Sequence, residues 1–239
     1  MIKRGVLLGL ALLLTIGALA VALSFFLKQA TPALQPTSIT KASTIILDAG
    51  HGGEDGGAVS VTGLPESQIN LELVLKMDSI LGFYGTAPVL LREDDRSLHD
   101  EDAITLREKK VSDLKNRVAR VEAIPNATLI SIHQNTYQDS RYHGTQVFYT
   151  QTPGSEELAG HVQAMVQSYL QFDNNRQSKQ IPDSVYLMNH ITCPAILVEC
   201  GFLTNPEEEA NLRDSTYQKK LAAVLCAAWL TAQDEVISG

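Results

Sequence analysis

Four side chains in this sequence have the types that metal-assisted hydrolysis requires. His51 lies in Asp48-Ala49-Gly50-His51-Gly52-Gly53, directly after an apolar run, where glycines let the backbone bend sharply and approach a ligand closely. His133 closes Ser131-Ile132-His133-Gln134-Asn135, Glu66 opens a helical pattern after Pro65, and Glu199 ends the apolar run Pro194–Val198. Each has a plainer reading when taken alone. His51 could be an exposed turn residue and His133 a hydrogen-bonded core imidazole. Glu66 could be a carboxylate favoured by the helix dipole, and Glu199 a strand-end acid reaching solvent. Buried and unpaired, Glu199 would cost several kcal/mol, which implies a metal, a cation or a raised pKa. Taken together, two imidazoles and one carboxylate form a His₂Glu zinc set with an open fourth position, the catalytic pattern. A second carboxylate outside the coordination sphere is then the expected general base for the attacking water. Spacings of 15 and 67 residues mean that the fold, not a local motif, must gather the three ligands.

The elements that would position them alternate. Strands are predicted at Thr44–Leu47, Pro88–Leu91, Thr128–Ile132, Thr145–Thr150, Ser184–Met188 and Ala195–Val198, all short apolar runs rich in β-branched residues. Helical patterns cover Glu66–Leu81, Ile104–Ala123, Glu156–Leu170 and Thr216–Gln233. The expectation is an α/β fold: a single three-layer domain with a twisted, largely parallel (mixed) sheet of about six strands flanked by helices. The zinc site would lie at the carboxyl ends of the strands, where such sheets gather function.

Composition narrows the partners. The chain has 239 residues, 44% hydrophobic and 19% charged, which is ordinary globular usage. All 27 acidic residues lie at or after Asp48, whereas four of the 19 basic ones precede it, leaving residues 44–239 at −12. Such an acidic body argues against a general nucleic-acid binder and disfavours tethering to teichoic acid by charge. Gly5 to Leu27 is a 23-residue run without charge behind Lys3 and Arg4. It reads as a transmembrane anchor or a signal peptide (1–27), with everything beyond it outside the cytoplasm. Residues 28–43 read as a linker and 44–239 as the catalytic domain. Cys193, Cys200 and Cys226 suggest free thiols, with a Cys193–Cys200 pair left open.

The ordered set DAGHGG (48–53), GLPESQINL (63–71), LLREDD (90–95), SIHQN (131–135) and VECGFLTNPEE (198–208) resembles the zinc-dependent N-acetylmuramoyl-L-alanine amidases of the amidase 3 type. REKKVSDLKNRV (107–118) and NNRQSKQ (174–180) are similar to the germination-specific, spore cortex subgroup. The resemblance implies one zinc ion per chain on His51, Glu66 and His133, with Glu199 as the catalytic carboxylate. It implies hydrolysis of the amide between N-acetylmuramic acid and L-alanine in peptidoglycan, as a step towards muramic-δ-lactam in spore cortex. The implied location is extracytoplasmic, membrane-anchored or secreted, in the spore intermembrane space or cortex. Implied partners are peptidoglycan, the cytoplasmic membrane through the N-terminal segment, and room for an exported protein. Gly144 follows Asn135 by only nine positions, which leaves no space for the helical plug some members carry there. Two other readings stay open: a zinc peptidase or carboxypeptidase acting on stem peptides, and a catalytically silent wall-binding protein. Asp48 could orient a ligand histidine or simply occupy the turn, and Asn135 could meet substrate or cap its loop. Arg92, Arg107, Arg117, Arg176 and Lys179 could reach peptide carboxylates, although surface charge or structural ion pairing is the plainer reading of each. His99, His143, His161 and His190 are expected to be structural.

Overall fold

The run Ile45–Ala49 is apolar on both faces except at Asp48, so as a strand it must be covered from both sides. The computed structural model, which describes residues 43–238, shows this arrangement. Strand β1 (Thr44–Ala49) sits in a six-stranded sheet with β2 (Val89–Leu90), β3 (Ala127–Asn135), β4 (Gln146–Tyr149), β5 (Lys179–Gln180) and β6 (Ala195–Phe202), in the order β2-β1-β3-β6-β4-β5. Pairing is parallel except between β4 and β6, so the sheet is mixed and largely parallel. Both edges are strands of only two residues.

Ile45, Leu47, Ile130, Ile132, Ile196 and Val198 face α1 (Glu66–Phe83), α3 (Ser155–Tyr169) and α6 (Ser215–Ser238) in one core. Ile46, Leu129 and Leu197 face the other way, beneath α2 (Leu106–Glu122) and α4 (Tyr186–Asn189). The short α5 (Pro206–Arg213) packs on α6 and β6. Three layers around a mixed sheet are thus present. No helix among the described residues is long and apolar enough to cross a membrane, and the 1–27 segment lies outside them.

The expected strand at Ser184–Met188 is a turn leading into helix α4. Its Leu187 and Met188 bury against the sheet face, while Asn189 Nδ2 donates to the carbonyls of Pro182 and Val185 and closes the turn. A short apolar run cannot by itself distinguish these two states. The sixth strand is instead Lys179–Gln180, exposed and without an apolar pattern, recruited by β4. Helix α5 is capped by Asn205, whose side chain accepts from the amides of Glu207 and Glu208, with Pro206 in its first turn. Cys193, Cys200 and Cys226 are all free. Burial pushes the Cys226 thiol up to about 12, the behaviour of an inert core thiol.

Two buried arginines join the layers beneath the exit of β1. Arg117 of α2 pairs with Asp48 and with Asp113, and its Nη1 and Nη2 donate to the carbonyls of Ala49 (3.0 Å) and His51 (2.7 Å). Arg92 donates to the carbonyls of Ala49 (2.8 Å), Gly50 (3.1 Å) and Ser67 (2.8 Å). Burial alone would raise the Asp48 carboxyl, but Arg117 and the Ser131 hydroxyl hold it below the usual range. The contribution of the ionised carboxylate is present above its unfolded pKa and is lost as pH falls through the folded one. Replacing Arg117 with Gln leaves that charge buried, so urea unfolding at pH 7 is expected to show a loss of about 3–5 kcal/mol. A loss below about 1 kcal/mol would contradict the clamp.

Candidate active site

The site is built where β1, β3 and β6 end. Register pairs His133 directly with Glu199 across the parallel β3–β6 ladder, and Ala49 with Ile132 across β1–β3. Paired residues project from the same face, so His133 and Glu199 stand side by side. The β1 turn brings in His51, and Glu66, first residue of α1, reaches over the strand ends from the opposite layer.

One donor atom from each of His51, Glu66 and His133 lies within 4.8 Å of the other two. Glu66 Oε1 is 2.9 Å from His133 Nδ1 and 3.5 Å from His51 Nε2. Ligands about 2.0–2.2 Å from a tetrahedral zinc ion are roughly 3.3–3.6 Å apart; the Glu66–His51 spacing matches this, whereas Glu66 and His133 are drawn closer by a hydrogen bond that an ion between them would replace. The Glu66 side chain is only 4% exposed, and its oxygens also accept from the amides of Gln134 (3.0 Å) and Ala58 (2.9 Å). Burial would raise its carboxyl, yet the His133 hydrogen bond and the neighbouring imidazoles hold it near 2. The same pairing raises His133 against the opposing effect of its own burial.

Glycines make the space. A Cβ at Gly50 would lie 2.2 Å from His133 Cε1, and one at Gly57 would lie 2.7 Å from both Glu66 Oε2 and His51 Cδ2. The glycine-rich turn therefore approaches the two imidazoles rather than a ligand. His51 itself adopts a left-handed φ of 61°, uncommon for a side-chain-bearing residue. Its Nδ1 lies 3.0 Å from Asp55 Oδ2, so this nitrogen donates and Nε2 is left as the lone-pair nitrogen facing Glu66. The His51 hydrogen bond holds the Asp55 carboxyl far below the usual range, and Lys110 adds to it at 3.2 Å. Asp55 is thus the residue that orients a histidine, which the sequence reading did not single out. The signal available was an acid four positions on, within the same glycine turn.

Glu199 completes the group. Its Oε2 is buried without a hydrogen-bond partner among the described residues. Burial pushes its carboxyl up to about 7; the Glu66 charge adds to this and the imidazoles oppose it. Such a group can exchange a proton near neutrality. A cleft of about 240 Å³ opens beside His51 and His133, with Tyr186 and Met188 of α4 and Leu197 among its walls.

The remaining candidates fall outside this group. Asp48 serves Arg117 and Ser131, and Asn135 Oδ1 accepts from the Thr136 amide at 2.7 Å, capping its own loop. Arg92 and Arg117 are buried clamps, while Arg107 and Lys179 are exposed on α2 and β5. Arg176 lies over the rings of Phe202 and Tyr142. His99 and His161 bond Ser97 and Thr231, His143 faces Asp173 at 3.5 Å, and His190 stacks on Tyr186.

Fold and site together define a hydrolytic enzyme on a mixed α/β sheet, its chemistry gathered at the strand ends. The chain belongs to the N-acetylmuramoyl-L-alanine amidase family (Amidase_3), which it matches over residues 45–229. It is 34% identical over 191 residues to the germination-specific N-acetylmuramoyl-L-alanine amidase of Bacillus subtilis strain 168, covering 79% of each chain. Among solved structures it is similar to the CwlD amidase from Clostridioides difficile in complex with the GerS lipoprotein. That match has 37% identity and a TM-score of 0.77, covering 81% of this chain and 99% of the other. An N-acetylmuramoyl-L-alanine amidase from Clostridium difficile 630 matches at 30% identity and a TM-score of 0.70, over 82% and 98% of the two chains.

Two expectations follow from the geometry. Gly50→Ala should displace the His133 ring, lower stability by about 1–3 kcal/mol and weaken divalent-metal binding. A titration with Co²⁺ that matched wild type would contradict this. In metal-free protein, the folded state holds the Glu199 proton more tightly than the unfolded chain does. Stability from this group is therefore present below about 4.5 and lost as pH rises through about 7. Glu199→Gln should unfold at higher temperature than wild type at pH 8, and the difference should shrink at pH 5.

Proposed function

We propose that this chain hydrolyses the amide between N-acetylmuramic acid and L-alanine in peptidoglycan, with one zinc ion held by His51, Glu66 and His133. The observation that carries this reading is the unpartnered, buried Glu199 oxygen in register with His133. The mixed donor set of two imidazoles and one carboxylate suits zinc, with a fourth position left for water or substrate. When bound, zinc supplies Lewis-acid polarisation of water and of the carbonyl oxygen. Glu199 takes the proton of the attacking water and returns it to the departing amine of L-alanine; a carboxyl near 7 can do both. Asp55 fixes the His51 tautomer, and the two buried arginines fix the turn that carries His51.

The germination-specific relative supports a role in spore cortex, where removing the peptide would precede formation of muramic-δ-lactam. We further read residues 1–27 as the anchor or signal segment, 28–43 as the linker and 44–239 as the catalytic domain, acting outside the cytoplasm. The CwlD neighbour was solved with a lipoprotein, which supports an exported partner for this chain.

Glu199→Gln is expected to retain one zinc ion per chain and to lose turnover by about 10²–10⁴-fold, whereas His51→Ala loses the zinc. Metal analysis of both variants, with mass spectrometry of fragments released from purified peptidoglycan, checks this. Release of peptides that lack L-alanine at their amino end would overturn the proposed bond, and an active Glu199→Gln would overturn its role.

A further inference from the structure

One basic side chain outside the His51–Glu66–His133 group, Arg176, is held firmly and incompletely used. Arg176 Nε donates to the His143 carbonyl at 2.8 Å and Nη1 to Gln146 Oε1 at 3.1 Å. Its guanidinium lies 4.6 Å from the Phe202 ring centroid and 5.7 Å from that of Tyr142. Gln146 is buried, and its own Nε2 donates to the Gln177 carbonyl, so the amide that orients Arg176 is itself fixed. Yet Arg176 has no carboxylate within ion-pair distance among the described residues, and Nη2 has no hydrogen-bond partner there. The neighbouring acid, Glu208, is occupied by the amides of Gly144 and Phe202 at 2.8 Å each.

Its position relates it to the reacting centre. Gln146 pairs with Glu199 across β4–β6, and Glu199 with His133 across β6–β3, so the three form one row on the same face of the sheet. Adjacent strands lie about 4.8 Å apart, which puts the guanidinium held by Gln146 roughly 5–10 Å beyond Glu199. Extended peptide advances about 3.3–3.6 Å per residue, so a carboxylate on the second residue past a bond cleaved at Glu199 would lie roughly 7 Å away.

We propose that Arg176 is the carboxylate-binding residue for the peptide side of the substrate, recognising an acidic residue that follows L-alanine. The planar fork suits a carboxylate better than an ammonium group does, and pre-organisation by two hydrogen bonds and two rings lowers the entropy lost on binding. A cationic anchor also counters the repulsion that a body of −12 would otherwise exert on an anionic peptide. The proposal rests on the amidase reading above and adds to it the class of peptide selected.

The test compares N-acetylmuramoyl-L-alanyl-D-glutamic acid with its diamide, and adds calorimetric binding of the peptide L-alanyl-D-glutamate. Wild type should cleave the acid with a kcat/KM about tenfold or more above that of the diamide, the difference lying in KM. Arg176→Gln should lose that preference and weaken peptide binding by a similar factor, while its rate on the diamide is unchanged. Arg176→Lys, which keeps the charge without the fork, should fall between the two and guards against a folding defect in Arg176→Gln. Equal losses on acid and diamide, or peptide binding unchanged in Arg176→Gln, would overturn the assignment and leave Arg176 a loop pin. Binding measures the subsite without turnover: if wild type cleaves neither substrate but binds the peptide through Arg176, the amidase reading fails and the subsite stands.

Discussion

Where the first strand ends, three consecutive carbonyl oxygens, those of Ala49, Gly50 and His51, turn into the protein instead of towards a neighbouring strand. A buried carbonyl without a donor costs on the order of 1–3 kcal/mol, and a left-handed residue costs about 1–2 more, so such a turn does not persist unaided. Arg92 and Arg117 meet all three, with Asn70 sharing the Gly50 oxygen at 3.1 Å. The position of His51, and through it the triangle with Glu66 and His133, follows from this contact between guanidinium groups and backbone.

The two arginines are balanced differently. Arg117 has Asp48 and Asp113 as direct counter-ions, and the pairing raises its pKa against the effect of burial. Arg92 is held by carbonyl dipoles alone; burial and the charge of Arg117 lower its pKa, although the nearby acids limit the fall. The arrangement places two positive charges just below a centre whose three remaining acids, Asp55, Glu66 and Glu199, differ sharply in proton affinity. Hydrogen bonding to the ionised form lowers the first two, and unrelieved desolvation raises the third. Which of these carboxylates stays ionised and which holds its proton is therefore set by which oxygens receive donors.

Much of this was legible in the sequence. The strands around Ile45, Ile130 and Ile196 announce themselves as apolar runs. The four site residues sit in short motifs at the ends of those runs or at a helix start, which is where strand register and the helix N-terminus bring side chains together. What escaped has physical reasons. Ser184–Met188 carries an apolar pair that serves a short helix as well as a strand, and Lys179–Gln180 has no pattern because its pairing comes wholly from β4. Arg92 and Arg117 look like surface charge in one dimension, because their partners are carbonyl oxygens whose direction only the folded turn reveals. Asp55 was hidden in the same way, since the glycine loop decides which acid meets His51.

The two-residue margins of the sheet carry a consequence for association. A strand that stops after two residues offers almost no ladder for a foreign segment to extend, and Lys179 and Gln180 place a charge and an amide at one of those margins. Copies of this catalytic domain crowded side by side would find little ladder to extend at either margin, because the outermost strands end so soon.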